Sequence, residues 1–363
     1  MQAKDLLRPF RLRPAFFTGL LHIALVTILI GACVTHFWGE QGEVHIRLLD
    51  TSSIKTSHST LSIFLWDFQV VLADDGKTPV DYVSELRILD RSKKVFEPDA
   101  GIVRINKPLK YHGYRFCEAD YDSDERGVVL TYNYDPWGTA ITYAGYAMLL
   151  LAMLGFFFQK RSYFRALLRP NKSLRTLLYG LCPLIIVLAV VMTKVVTPKP
   201  PLVPVLQTPL LGIHVSVIML AYTLFAVIMV DGILGLYAAI AQRKAVGPRK
   251  QKLSTFNFQL STLSQVLLYP AEFCLTAGIF IGAVWANLSW GRYWGWDPKE
   301  TWALITMLVY AVLLHWHLIA HGCKLPKDKS QVLYHVLSIV AFLFVLFTYF
   351  GVSYLLGGLH SYT

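Results

Sequence analysis

Long apolar runs are the feature that most constrains how this chain can fold. Several of them extend roughly 18 residues or more with at most one charge, which lets an α-helix cross about 30 Å of hydrocarbon. The composition agrees, because 55% of the 363 residues are apolar and 16% are charged, against roughly 45–50% and about 25% in soluble domains. A soluble, disordered or fibrous protein is excluded. The predicted fold class is a polytopic α-helical membrane protein.

Seven transmembrane helices are predicted, and the basic residues between them indicate their orientation. The predicted spans are 15–38, 139–158, 177–193, 210–241, 264–288, 302–321 and 331–356. Lys and Arg are concentrated before the first span and after the second, fourth and sixth, and short basic loops stay in the cytoplasm. The N-terminus is therefore predicted inside and the C-terminus outside, in a bacterial inner membrane. The net charge of +11 reflects this topology and does not indicate a nucleic-acid partner.

The chain divides into four predicted parts. Residues 1–38 form an N-terminal transmembrane helix, because the apolar run is too long for a signal peptide and only loosely resembles a lipoprotein cleavage site at Cys33. Residues 39–138 form a small periplasmic antiparallel β domain, since β-rich runs alternate there with Gly, Pro and Asp. It is either a scaffold on the outer membrane face or a docking site for a partner. A helix with a basic loop, 139–176, and a membrane domain, 177–363, complete the chain.

A tryptophan-rich stretch at 285–302, here called the tryptophan segment, is the most unusual part of the sequence. It holds five of the nine tryptophans and the sequence WGWDPKET at 294–301. Trp and Tyr also gather at membrane interfaces, but such a belt needs neither fixed spacing nor charged neighbours. We interpret Trp290, Trp294 and Trp296 as an apolar shelf for a large planar ring. Arg292 and Lys299 lie near enough to meet acidic groups on that ring.

Four histidines fall at two predicted depths. His22 lies about 10 Å from the inner end of the first span and His315 about 9 Å from the inner end of the sixth. His214 and His360 lie at the outer level, beside the tryptophan segment. Ionisable residues within the hydrocarbon are costly, and imidazole is a usual axial ligand of haem iron. The sequence therefore predicts two bis-histidine iron sites.

Other histidines remain alternatives for the inner site. His317 and His321 lie on another face of the helix that carries His315, and His335 lies near the inner end of the last span. Any of the three could replace His315 as the inner ligand. The remaining histidines belong to the outer domain or its junction, where solvent exposure is expected.

These residues resemble the membrane cytochrome c synthases of the ResB and CcsA type, the System II family. The tryptophan segment resembles the haem-handling signature of that family, and so do LGIHVS at 211–216, YAVLLH at 310–315 and YFGVSYLLGGLHSY at 349–362. Residues 177–363 are similar to CcsA throughout. The first 158 residues resemble the C-terminal part of ResB, with His22 and NKPLKYHGYRF at 106–116. The chain looks like a natural fusion of the two.

The resemblance implies a holocytochrome c synthase. Haem b, as substrate and bound ligand, would enter near His22 and His315, pass outward, and rest on the tryptophan segment with His214 and His360 as axial ligands. The CXXCH thiols of apocytochrome c would then add across its vinyl groups, with no protein nucleophile. Asp297 could hold a haem propionate through water, order the shelf, or cap the helix starting near Pro298.

The implied partners are apocytochrome c, a thiol–disulfide reductant chain and a further ResB-like chain. The five cysteines contain no C-x-x-C pair, so the protein itself is not a dithiol reductant. Either the ResB-like chain supplies the spans that usually precede this part of ResB, or this form works without them. A haem exporter without synthase activity would need the same histidines and tryptophans. A b-type electron-transfer subunit is disfavoured, and so is a pure assembly scaffold, which would not need paired histidines.

Overall fold

The computed structural model describes residues 16–91, 95–159, 163–168 and 204–356. Its helices are α1 (Phe16–Trp38), α2 (Pro136–Phe158), α3 (Tyr163–Leu168), α4 (Pro209–Lys244), α5 (Gly247–Ser289), α6 (Pro298–Leu314), α7 (Trp316–Gly322) and α8 (Lys327–Leu346). A short 3-10 turn, Pro204–Leu206, precedes α4, and a π-helical segment, Phe347–Leu356, continues α8.

Six of the seven predicted spans coincide with helices. Among the described residues, five helices are long and apolar enough to cross a membrane, and α6 with α7, bent by 59°, could make a sixth. The predicted span 177–193 lies outside the described residues. The number of seven spans and their orientation therefore stay predictions.

The described residues form two compact units, and the first contains α1, α2 and α3. Small residues let α1 and α2 pack closely in antiparallel directions. A Cβ added at Gly31 would collide with the backbone and side chain of Thr142, and one at Gly145 would collide with Ile28. Glycine at both positions therefore allows the two backbones to approach, as is common between membrane helices.

The second unit contains the β domain and the helices from α4 to α8. Its helical core centres on stacked rings, with the ring centroids of Phe225 on α4 and Tyr310 on α6 3.6 Å apart. Helix α8 packs on α4 where Gly235 faces the His335 ring, leaving no room for a Cβ. The unit therefore combines an aromatic core with helix contacts that only glycine permits.

The β domain is a pair of four-stranded antiparallel sheets. Its strands are β1 (Glu40–Arg47), β2 (Thr51–Lys55), β3 (Thr60–Leu72), β4 (Pro79–Asp90), β5 (Val95–Arg104), β6 (Leu109–Tyr111), β7 (Tyr114–Tyr121) and β8 (Gly127–Tyr134). One sheet has the order β1-β8-β7-β6 and the other β2-β3-β4-β5. Alternate residues of the strands point into one core; Val44 and Ile46 of β1, for example, meet Ile63, Leu86 and Leu130. The antiparallel form predicted from the sequence is the form observed.

One partly buried carboxyl joins the two sheets. Glu118 on β7 accepts a hydrogen bond from the hydroxyl of Ser84 on β4 at 2.8 Å. Burial raises the pKa of Glu118 to about 7, and the nearby Asp81 charge adds to that rise. The folded state therefore binds the Glu118 proton more tightly than the unfolded chain does.

We expect this carboxyl to weaken the β domain as the pH rises. Its contribution is most favourable below the unfolded value of 4.5 and is lost as the pH rises through about 7, a change on the order of 2–3 kcal/mol. Hydrogen bonds from His45 and Arg47 lower the pKa of Asp122, and a hydrogen bond from Arg47 lowers the pKa of Asp124, so those two carboxyls titrate below this window. Hydrogen exchange of β4 and β7 in the full chain, corrected for intrinsic rates, should show the fall. Glu118→Gln should flatten it, and the exposed control Glu43→Gln should not; equal slopes in all three proteins would contradict the prediction.

Candidate functional site

A cavity of about 340 Å³ lies between α4, α5, α6 and the π-helical segment. We call it the outer cavity. Its walls are mostly apolar, and its polar lining includes His214, Tyr222, Lys299, Glu300 and Tyr349. Two indoles of the tryptophan segment, Trp285 and Trp294, also line it. An apolar cavity with a few convergent polar groups is typical of a small-molecule site.

His214 enters this cavity from the second turn of α4. The helix begins at a defined residue because Pro209 occupies its first turn and Thr208 Oγ1 accepts a hydrogen bond from Leu211 N at 3.1 Å. The His214 ring donates from Nδ1 to the backbone oxygen of Gly278 at 2.8 Å. This bond places the proton on Nδ1, so Nε2 carries the lone pair that a metal ligand needs.

Glycine on α5 makes room for the His214 ring. A Cβ added at Gly282 would lie 2.6 Å from His214 Cε1, and one at Gly278 would lie 2.5 Å from the Ile218 side chain. A Cβ at either position would force the neighbouring side chain or helix to move. The spacing Gly278-x-x-x-Gly282-x-x-x-Ala286 is a small-residue pattern that sequence reasoning could have used to find this contact.

The tryptophan segment begins as the end of α5 and ends as the start of α6. Trp290 closes α5 by donating from its backbone N–H to Ala286 O at 2.8 Å, and Gly291 turns the chain with φ +73°. Asp297 then caps α6 in a capping box with Glu300, whose carboxylate accepts from Asp297 N at 3.3 Å and Gly295 N at 2.8 Å. Of the three roles considered for Asp297, helix capping is the one with a described contact.

Of the three tryptophans predicted to form the shelf, Trp294 is the one that lines the outer cavity. Trp290 packs edge-on against Trp285, with centroids 4.8 Å apart. Trp296 is 72% exposed and lies edge-on to Trp294 at 5.9 Å. Trp285, which the sequence analysis did not select, contributes to the cavity wall in place of Trp290 and Trp296.

Of the two basic residues of the segment, Lys299 is the one that reaches the cavity. It lines the wall and donates from Nζ to Ser353 Oγ at 3.0 Å. Arg292 instead lies against Gly295, where an added Cβ would meet its Nε at 3.0 Å. Lys299 is therefore the cation placed to meet an acidic group of a ligand inside the cavity.

The partner predicted for His214 cannot be located, because His360 lies outside the described residues. Ser353, which contacts Lys299, belongs to the π-helical segment. It lies seven residues before His360 in the sequence. That segment contributes Thr348 and Tyr349 to the outer cavity. The pairing of His214 with His360 stays a prediction.

The two predicted inner ligands are exposed and share a local geometry. His22 on α1 donates from Nδ1 to Thr18 O at 2.7 Å, and His315 donates from Nδ1 to Ala311 O at 2.8 Å. Each bond ties the ring to the preceding helical turn and leaves Nε2 as the ring atom suited to iron. His315 also lies at the bend between α6 and α7. Because the histidines belong to different units, their pairing stays a prediction.

The alternatives to His315 differ in their surroundings. His317 is partly buried at the start of α7, and His321 is exposed near its end. His335 is fully buried, and its Nε2 lies 2.8 Å from Asn257 Oδ1 and 3.2 Å from Ser261 Oγ. Since that ring is enclosed and hydrogen-bonded within the helical core, it is the alternative least suited to bind iron.

Comparison with known proteins identifies two family matches. A family model described as cytochrome C assembly protein matches residues 137–360, and a ResB-like family model matches residues 17–144. Protein NrfI of Wolinella succinogenes is 42% identical over 161 residues, covering 44% of this chain and 17% of that protein. The cytochrome c biogenesis protein CcsA of Chlamydomonas reinhardtii is 40% identical over 162 residues (45% of this chain, 43% of that protein). CcsA of Guillardia theta is 39% identical over 178 residues (45% and 56%). The matches thus span about half or less of these relatives.

The glycine at 282 provides a test of the cavity geometry. Gly282→Ala should push the His214 ring out of place and lower the haem that co-purifies with the protein by about tenfold, as loss of a ligand would. The measurement is the haem-to-protein ratio from absorption spectra of purified protein. The matched control is Gly212→Ala on α4, where nothing lies within 4 Å of an added Cβ. Equal haem content in both variants would contradict the assigned position of His214.

Proposed function

Because the chain belongs to the cytochrome c assembly protein family, we propose that it acts in cytochrome c biogenesis as a holocytochrome c synthase. Haem b is the substrate, held in the outer cavity and attached covalently to the CXXCH motif of apocytochrome c. The observation that carries the proposal is the position of His214 in an apolar cavity together with two indoles and one lysine. This set suits haem, which presents an iron, a flat apolar ring and acidic propionates.

Each lining group has a separate role toward haem. His214 binds the iron through Nε2, with His360 as the predicted second axial ligand. Trp285 and Trp294 contact the porphyrin, and Lys299 neutralises a propionate. Two imidazole ligands keep the iron low-spin and protected while the vinyl edge stays accessible to the protein substrate.

The attachment step needs positioning and no protein nucleophile. Each cysteine S–H of apocytochrome c adds across one vinyl C=C: the sulfur bonds to one carbon, and the hydrogen is taken up by the other. Neither group is oxidised or reduced overall, so the chain contributes orientation and binding. The histidine of CXXCH then displaces one axial ligand, and the product leaves as it folds around its haem.

The attachment reaction also requires partner proteins. Thiols and iron must both be reduced, so a separate thiol–disulfide reductant chain is part of the proposal. No disulfide joins the described cysteines Cys33, Cys117, Cys274 and Cys323. A further ResB-like chain is also proposed as a partner.

Haem delivery is proposed to start at the cytoplasmic side. His22 and His315 form the inner site, and haem passes outward from it to the outer cavity. The β domain and the C-terminus face the periplasm of a bacterial inner membrane, and the N-terminus faces the cytoplasm. The support for this orientation is the concentration of Lys and Arg in alternate connections.

Removal of the outer ligand should abolish attachment. We expect His214→Ala or His360→Ala to reduce covalent haem on a reporter cytochrome at least tenfold, with partial recovery on adding imidazole, which can fill a vacant axial position. The measurement is haem staining in cells without another cytochrome c maturation system, with the exposed His58→Ala as control. Full activity of both variants would refute the outer site. Bound haem without attachment by the wild-type protein would favour the haem exporter.

The inner ligands should affect haem supply. We expect His22→Ala or His315→Ala to lower co-purified haem several-fold, with weaker rescue by imidazole because these sites lie farther from the periplasm. Absorption spectra before and after reduction measure the haem content. Unchanged haem in His315→Ala, together with a loss in His317→Ala or His321→Ala, would move the ligand to the other helix face.

A further inference from the structure

One face of the β domain contacts the end of α5. Arg115 on β7 donates from Nη1 to Asn287 Oδ1 at 2.6 Å. Asn287 is 2% exposed and lies two residues after Trp285 in the last turn of α5. A short hydrogen bond from a guanidinium to a buried amide is one of the stronger side-chain contacts. It fixes the helix end that carries one indole of the outer cavity.

The neighbouring strand holds the turn that follows. Asn133 on β8 pairs directly with Arg115 in the sheet register and donates from Nδ2 to Gly291 O at 2.9 Å. Gly291 has φ +73°, a conformation that glycine adopts without strain. The buried thiol of Cys117, two residues along β7 from Arg115, faces the same glycine, and an added Cβ would lie 3.1 Å from its Sγ. The sheet face therefore packs directly on this turn.

A third contact links both walls of the cavity. The Asn106 side chain accepts a hydrogen bond from Ser289 Oγ at the end of α5 and donates from Nδ2 to Val205 O at 3.2 Å. Val205 belongs to the 3-10 turn before α4, and its neighbour Leu206 lines the outer cavity. The Asn106 side chain thus connects the 3-10 turn before α4, the helix that carries His214, with Ser289 of the tryptophan segment.

These contacts matter because the segment between α5 and α6 has no helix or strand of its own to fix its path. Residues 290–297 lie between the two helices, and backbone groups in such a stretch need partners from elsewhere. Glu300 supplies partners at the far end through Gly295 and Asp297. The β domain supplies them at the near end.

We propose that the β domain sets the shape of the outer cavity, with Arg115, Asn133 and Asn106 as positioning residues for the tryptophan segment. The inference rests on the proposed haem site but adds a function for the ResB-like part of the chain. None of the three residues lines the outer cavity. They act through Asn287, Ser289 and Gly291, which hold Trp285 and Trp294 in the cavity wall.

The first experiment measures haem affinity of the full chain in nanodiscs. Arg115→Leu should raise the Kd for haem about tenfold, because a charge-assisted hydrogen bond to a buried group is lost. Arg115→Lys should recover part of the affinity, and the exposed control Arg126→Leu should match the wild type. Wild-type affinity in Arg115→Leu would overturn the inference while leaving the haem site intact. No haem binding by the wild type would overturn both.

The second experiment needs no haem. Gly291→Cys should form a disulfide with Cys117 on mild oxidation, detected by mass spectrometry, because the added Cβ lies at a distance that a disulfide requires. Cys117→Ser should abolish this crosslink, and its absence from Gly291→Cys would overturn the inference. In the double variant Arg115→Leu with Gly291→Cys, oxidation to the crosslinked form should restore haem affinity relative to the reduced form. Gly291→Ala combined with Arg115→Leu should not restore haem affinity, because it has the same backbone strain but cannot form the crosslink.

Discussion

The close approach of α4 and α5 is the constraint on which the rest of the outer cavity depends. His214 can turn its ring toward Gly278 O only because α5 carries no side chain at 278 and 282. That one contact sets the ring tautomer, the separation of the helices and the width of the space between them. The tryptophan segment then closes one side of the space between α4 and α5. The position of the His214 ring therefore depends on the absence of side chains on α5 as much as on the imidazole itself.

The sequence predicted the helices better than the details of the site. Hydropathy locates spans reliably because the hydrocarbon tolerates only helices there, and His214 stood out as a costly residue in such a span. Strands β1 and β2 give little local signal, because EQGEVHIR and TSSIK are polar and acquire their strand form from pairing. Trp285 was not separated from Trp290 and Trp296, since indole direction depends on where α5 ends. The contacts of Arg115 and Asn133 join residues more than 150 positions apart, which no local pattern encodes.

Polar side chains inside the helical core form hydrogen bonds between helices, and these bonds distinguish His335 from His315. Asp231 on α4 accepts from Ser264 on α5 at 3.2 Å, and His335 on α8 bonds Asn257 on α5 at 2.8 Å. Buried polar pairs of this kind fix the register between helices, because any sliding would leave a polar atom without a partner in a low-dielectric interior. His335 therefore belongs to helix packing, whereas His315 lies exposed at the bend between α6 and α7.

The length of α5 has a mechanical consequence. At 43 residues it is about 65 Å long, roughly twice the hydrocarbon thickness, and it runs unbroken through Pro270 to the wall of the cavity. Pro270 has no backbone N–H to donate, and a helix bends most readily at such a residue. Gly278 and Gly282 lie on the part of α5 that follows it. A change of the bend angle at Pro270 would therefore move the face of α5 that makes room for the His214 ring.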